Sequence, residues 1–132
     1  MGRQVIDSKK WLYEQDYFRG TYSGYEYVIK RMSHLGNLCG YVKVKSKWLE
    51  NKGDYEFLED IIDVHGGVTY FGTLFLKGGE YWVGFDCAHD GDILPYMYKN
   101  SQLNYSEYRD LRYVRKECKR MIKQLKELEC GK

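Results

Sequence analysis

The sequence predicts an α+β fold in which one long C-terminal helix packs on an antiparallel β-sheet. Two observations carry this prediction. Short β-prone runs alternate with glycine-containing turns between residues 24 and 92, and an apolar period of three to four residues follows near the C-terminus. A helix that covers the apolar face of a sheet is a stable two-layer arrangement. The 132 residues correspond to a single domain.

The first 23 residues are predicted to form an N-terminal arm outside the sheet. Their pattern does not decide between a short helix and an irregular segment, because it has neither helical nor alternating apolar period. Large apolar side chains are instead scattered among charges in this arm: Trp11, Leu12, Tyr13, Tyr17 and Phe18.

The clearest strand pair is a hairpin formed by residues 25–31 and 39–45, with turn-forming residues 33–37 between them. In the second run two valines alternate with two lysines. This alternation indicates one buried and one solvated sheet face.

The segment 46–59 is rich in charge and favours either a long loop or a short helix. Three further β-prone runs follow at 61–65, 68–71 and 80–87, separated by glycine-containing breaks. We expect these three runs to be adjacent strands, so that the β-rich region extends over residues 24–92.

The C-terminal helix is predicted to extend over residues 104–130. Asn104 and Glu107 have the spacing of a capping box, and Gly131 suits the helix end. The outer face carries eight basic and five acidic residues between 107 and 129, most of them expected to be solvated. The apolar stripe consists of Leu111, Val114, Cys118, Met121, Ile122, Leu125 and Leu128.

Composition narrows the classes of function. A net charge of +2 is too small for the basic footprint of a general nucleic-acid binder. No apolar run approaches the roughly 20 residues of a membrane span, and the N-terminus lacks a signal peptide's apolar core. The four cysteines form no C-x-x-C pair, so we expect free thiols and a cytoplasmic location.

Residues 63–92 concentrate histidines, carboxylates, aromatic rings and glycines. On a strand, Asp63 and His65 would point to the same face because they are two residues apart. Asp86, His89 and Asp92 follow an aromatic strand, where a loop would begin. Three kinds of site fit these residues.

The first kind is a metal site with two histidines and two aspartates, although no specific ligand signature is present. The second is a metal-free acid–base site in which His65 and His89 transfer protons. We favour neither, and we expect no metal and no cofactor.

The third kind is a pocket that binds a ligand without reaction. Aromatic rings would stack a purine, aspartates would accept hydrogen bonds from hydroxyl or amino groups, and arginines at the front of the helix, Arg109 and Arg112, would meet phosphate. The predicted ligand-binding residues are Asp63, His65, Tyr70, Trp82, Phe85, Asp86, His89, Asp92 and Arg109.

Four segments resemble a family of small bacteriophage and prophage proteins. They read CGYV at 39–42, HGGVTYFG at 65–72, YWVGFDCAHDGD at 81–92 and YRDL at 108–111. The resemblance covers residues 24–125 apart from 46–59. Such phage proteins include anti-defence sponges that bind nucleotide immune signals, such as the cyclic ADP-ribose derivatives of Thoeris defence. Other phage proteins cleave cyclic dinucleotides, the signals of CBASS, and the predicted pocket suits either kind of ligand.

The resemblance therefore implies an anti-defence protein in the host cytoplasm that sequesters a nucleotide-derived signal as a homo-oligomer. One alternative is a phosphodiesterase that cleaves cyclic nucleotides with His65 and His89. Another is a protein-binding inhibitor of a host defence system, which would use surface tyrosines and the basic helix face.

Overall fold

A computed structural model describes residues 9–45, 55–73, 79–97 and 106–130, and it has the predicted α+β architecture. In these residues one sheet of five antiparallel strands packs against a C-terminal helix. The strands are β1 (Tyr17–Tyr22), β2 (Tyr25–Arg31), β3 (Leu38–Lys43), β4 (Tyr70–Gly72) and β5 (Trp82–Asp86), in the spatial order β1-β2-β3-β5-β4. The α-helices are α1 (Tyr55–Ile61) and α2 (Leu111–Cys130), and short 3₁₀ helices occur at Lys10–Tyr13 and Pro95–Met97.

The sheet begins earlier than predicted, because β1 lies within the N-terminal arm. It pairs with β2 through a two-residue turn, Ser23-Gly24, in which both residues have positive φ. This is the turn geometry that matches the natural twist of a tight hairpin. The predicted hairpin of β2 and β3 is confirmed, with Tyr27 opposite Val42.

The prediction of a strand at residues 61–65 is wrong. Ile61 ends α1, and the segment after it bonds to side chains of α2 instead of to a neighbouring strand. The backbone N of Asp63 donates to Gln124, and that of His65 donates to Glu117. The remaining part of the 46–59 segment, residues 46–54, lies outside the described residues.

Helix α2 begins at Leu111, so the predicted start at Asn104 is wrong. Asp110 provides the cap, since its Oδ1 accepts a hydrogen bond from the backbone N of Tyr113 at 2.8 Å. Glu107 precedes this helix by four residues: its backbone bridges to Asp92 and its carboxylate pairs with Arg109. Asn104 and Gly131 lie outside the described residues.

The predicted apolar stripe of α2 is confirmed as the face that covers the sheet. Val114, Cys118 and Leu125 are completely buried in one core with the apolar side chains of β2, β3 and β5. Gly40 allows this close approach, because a Cβ there would lie 2.7 Å from the sulfur of Cys118. In the part of the chain that the structure describes, no helix has the length and apolar character needed to cross a bilayer.

Candidate functional site

The residues of the predicted 63–92 cluster divide between two places in the fold. One group forms a polar network beside the first turns of α2. The other group lines a cleft on the sheet face that points away from α2. Side chains alternate between the two faces along a strand, so neighbours in sequence are separated in space.

Asp92 is the centre of the polar network. Its carboxylate is 1% exposed and accepts hydrogen bonds from Nε of Arg109 at 2.8 Å, Nε2 of His65 at 2.9 Å and the backbone N of His89 at 3.0 Å. Burial acts to raise the pKa of Asp92, but the hydrogen bonds outweigh it and hold that pKa below its usual value. The carboxylate is therefore ionised and joins three chain segments.

His65 uses both ring nitrogens inside this network. Nε2 faces the carboxylate of Asp92, and Nδ1 lies 2.8 Å from the hydroxyl of Tyr113. Because a carboxylate only accepts, Nε2 carries the proton, and in the neutral ring Nδ1 accepts from the tyrosine. His65 therefore fastens α2 to the loop before β4 and offers neither nitrogen to a ligand.

His89 stands beside His65, as the sequence predicted, with ring centroids 5.9 Å apart. Its Nε2 lies 3.0 Å from Oδ1 of Asp86 but makes no hydrogen bond of good geometry to a described residue. The ring packs over Gly66, where an added Cβ would lie 2.2 Å from Nε2. Gly66 also has φ of +67°, so glycine suits this position for two reasons.

Arg109 is neutralised within the network. Besides Asp92, it pairs with Glu107 at 2.6 Å, and its guanidinium carbon lies 5.0 Å from the ring centroid of Tyr113. Two carboxylates hold this one cation, which leaves it poorly placed for the phosphate contact that the sequence suggested.

The cleft on the opposite sheet face has a volume of about 370 Å³, within the usual range for small-molecule sites. Tyr41 and Tyr70 form an edge-to-face pair in it, with ring centroids 5.8 Å apart. Both are register partners of Gly84, whose missing side chain leaves room for the Tyr41 ring. The described lining residues are Met32, His34, Leu35, Asn37, Cys39, Tyr41, Thr69, Tyr70, Phe85, Asp86 and Ala88.

Hydrogen-bond acceptors are prominent among the polar groups of the cleft. Asp86 is held in place by Thr69, whose hydroxyl donates to Oδ2, and by the backbone N of Ala88, which donates to Oδ1. Asn37 is 2% exposed, and its Oδ1 has no hydrogen-bond partner among the described residues. Burial, with the nearby charge of Asp86, raises the pKa of Cys39 to about 12, so this thiol stays protonated.

The predicted site residues are therefore distributed as follows. Tyr70 and Asp86 line the cleft, while His65, His89, Asp92 and Arg109 belong to the network. Phe85 borders the cleft, but its ring is 1% exposed and packs in the core on the sheet face that α2 covers. Trp82 lies in β5 but is 1% exposed and is not among the described lining residues. Asp63 belongs to neither group, since its exposed carboxylate pairs with Arg120 at 2.8 Å.

Sequence reasoning missed several lining residues, notably His34, Asn37 and Tyr41. The alternation in β3 contained a signal for Tyr41, because a residue next to Val42 must point to the opposite face. His34 and Asn37 carried no comparable signal, since a turn has no fixed period.

Within the described ranges, no three His, Cys, Asp or Glu side chains are placed to hold a metal ion. Comparisons of the chain with protein-family models, curated proteins and solved structures found no match.

Proposed function

We propose that this protein binds a nucleotide-derived small molecule in the cleft and retains it unchanged. The observation that carries the proposal is a cleft of about 370 Å³ that combines an aromatic pair with two acceptors, the partly exposed carboxylate of Asp86 and the buried amide oxygen of Asn37. A purine nucleoside has the complementary features, namely a flat ring, amino and ring N–H donors, and ribose hydroxyls. The cleft volume is sufficient for the nucleoside part of such a ligand.

The aromatic pair supports the base-binding part of the proposal. Tyr41 and Tyr70 meet edge to face, and Tyr70 is only partly buried, so its ring retains exposed surface. Stacking of a base on an aromatic ring contributes about 1–3 kcal/mol, whichever base is bound.

Asp86 supports the polar part of the proposal. A carboxylate has about four acceptor positions. Thr69 and Ala88 use two of them, and Nε2 of His89 lies 3.0 Å from Oδ1, so the free positions are mainly on Oδ2. Asp86 can therefore accept further hydrogen bonds from a base amino group or a ribose hydroxyl while its own orientation stays fixed. A fixed acceptor loses little entropy on binding.

The positions of His65 and His89, the acid–base pair that the sequence suggested, favour retention of the ligand over its cleavage by that pair. A pair of acid and base groups must reach the reacting atoms through free ring nitrogens. His65 uses both nitrogens within the protein, and Nε2 of His89 is buried against Asp86. Retention without reaction is the behaviour of a sponge. Together with the resemblance to phage and prophage proteins, it supports an anti-defence role in which a homo-oligomer removes an immune signal in the host cytoplasm.

The proposal is tested by purifying the protein from cells that make a TIR-derived or cyclic-dinucleotide signal. The protein is then heat-denatured, and the released small molecules are identified by mass spectrometry. Release of the intact signal is the expected result. A linear product would indicate a phosphodiesterase instead, and His65→Ala and His89→Ala would then abolish turnover. If the signal is neither bound nor consumed, the proposal is wrong and protein partners become the next candidates.

Substitutions of cleft residues test whether the ligand binds in the cleft. We expect Tyr70→Ala to raise the dissociation constant about 5- to 150-fold by calorimetry, which corresponds to the loss of stacking. Asp86→Asn should weaken binding as well, because it removes the anionic acceptor. Tyr13→Ala is the matched control, since Tyr13 is 83% exposed and lies outside the cleft. Equal weakening by the control would contradict the assignment of the cleft.

A further inference from the structure

A basic concavity of about 210 Å³ lies along the first turns of α2 and is lined by Arg112, Arg115, Lys116 and Lys119. We call these four residues the basic cradle. We infer that the basic cradle is a second binding site, which takes a chain of linked phosphates. This inference does not depend on the function proposed for the cleft.

The spacing of the four residues places them together on one helix face. Positions separated by three and four residues are neighbours on a helix surface. The seven steps from Arg112 to Lys119 span about 10 Å along the axis. The positive charge therefore forms a row that is longer than a single phosphate group.

The basic cradle forms no direct ion pair with the described residues, although Arg112 is near enough to act electrostatically on Asp110. Among the described residues, no carboxylate lies within 4.0 Å of any of its four cationic groups. Arg109 and Arg120 on either side of it behave differently, since each pairs with two carboxylates. An anion bound along the row would relieve the repulsion among the four cations.

Two of the cations are held in place by aromatic side chains of the sheet. The guanidinium carbon of Arg115 lies 4.7 Å from the ring centroid of Phe18, and Nζ of Lys119 lies 5.3 Å from that of Tyr22. Nε of Arg115 also donates to the hydroxyl of Tyr27 at 3.4 Å. These contacts fix part of the site before a ligand arrives, which lowers the entropy lost on binding.

Phosphate chains fit this geometry for two reasons. Arginine presents a planar set of donors that matches two phosphate oxygens at once. Successive phosphates also place repeated negative charge along a line, as the basic cradle does for positive charge. The net charge of +2 for the whole chain does not reveal this row, because acidic residues elsewhere offset it.

The basic cradle and the cleft are on opposite sides of the sheet. Arg115 contacts Tyr27, which belongs to the sheet face that packs on α2. Tyr41 and Tyr70 of the cleft occupy the other face, in register with Gly84. A ligand in the cleft therefore does not need the basic cradle. If one of the two sites binds no ligand, the proposal for the other site can still be tested.

The test titrates the full chain with two probes, inorganic tripolyphosphate and a short single-stranded oligothymidylate, at about 50 and 200 mM salt. We expect saturable binding of tripolyphosphate that weakens as salt increases. If longer oligothymidylates bind more tightly than the short one, the phosphates recognised in the cell belong to a nucleic-acid strand. Binding of tripolyphosphate alone would identify a free oligophosphate.

Arg112→Gln should weaken tripolyphosphate binding about tenfold, and the double variant Arg112→Gln/Lys116→Gln should weaken it further. Both side chains are exposed, so the variants should keep the fold. Arg19→Gln is the matched control, because it removes the same charge from the opposite sheet face. The inference is overturned if neither probe binds at about 50 mM salt, if Arg19→Gln has the same effect, or if a polyglutamate peptide binds as tightly as tripolyphosphate.

Discussion

Among single residues, Asp92 joins three segments of the chain through its buried carboxylate. A buried carboxylate is stable only when its partners replace the water that it loses. Here the partners come from the loop before β4, the loop after β5 and the segment before α2, and they are His65, His89 and Arg109. Loss of the charge would leave Arg109 with only an exposed partner, Glu107.

We therefore expect Asp92→Asn to lower the free energy of unfolding by about 3 kcal/mol at pH 7, because it breaks a buried ion pair and its hydrogen bonds. Urea denaturation followed by circular dichroism measures this change. Asp63→Asn is the control, since it removes an exposed carboxylate and should cost less than about 1 kcal/mol. Equal effects of the two substitutions would contradict the role of Asp92.

The loss of stability caused by Asp92→Asn should depend on pH. The pKa of Asp92 in the folded protein lies below its unfolded value of about 3.9. Its stabilisation is therefore complete at about pH 5 and above, and it is lost as the pH falls through the lower, folded-state pKa. We expect the stability difference between wild type and Asp92→Asn to shrink when urea denaturation is repeated near pH 3. A difference that stays constant between pH 7 and pH 3 would contradict this explanation.

At the level of the elements, packing on the two faces of the sheet buries three of the four cysteines. Cys39 in β3, Cys87 after β5 and Cys118 in α2 are buried, whereas Cys130 at the end of α2 is exposed. Burial raises the pKa of each of the three buried thiols, to about 12 for Cys39. A protonated, enclosed thiol reacts slowly because the thiolate is the nucleophile.

We expect an aromatic disulfide reagent at pH 8 to modify one thiol per folded chain rapidly, and all four in denaturant. Cys130→Ser should abolish the rapid phase. Cys118→Ser would keep it, as the control on the same helix. A second thiol that reacts at the same rate in the folded protein would show that the packing around one of the three buried cysteines opens more readily than its burial indicates.

At the scale of the whole molecule, the sheet and α2 share one core, so they should unfold together. Leu125 is completely buried between them. We expect Leu125→Ala to lower the free energy of unfolding by about 3 kcal/mol, from lost burial and the cavity left behind.

Far-ultraviolet circular dichroism and tryptophan fluorescence should report the same midpoint for this variant. Lys123→Ala, at an exposed position of the same helix, should change stability by less than about 0.5 kcal/mol. Two separate midpoints would show that α2 leaves the sheet before the sheet unfolds.

Some elements of the fold could be predicted from the sequence and others could not, depending on whether their apolar residues follow a clear period. The hairpin of β2 and β3 and the apolar stripe of α2 were predictable, because each buries one face and so has a clear period. Strand β1 was missed, because its outward residues Tyr17, Arg19 and Thr21 are exposed at the sheet edge. Residues 61–65 have the apolar, β-prone composition of a buried strand. Their backbone N–H groups nevertheless donate to Gln124 and Glu117 of α2.

The two-layer architecture and the concentration of chemically active side chains near residues 63–92 could be predicted from the order of the residues alone. Folding in three dimensions was needed to place Asp86 in the cleft and Asp92 in a network beside α2, and to bring Tyr41 to Tyr70 from a different strand. This division arises because period and composition are local properties of the chain. Register, face and distant hydrogen-bond partners depend on contacts between segments, such as the 27 positions that separate His65 from Asp92.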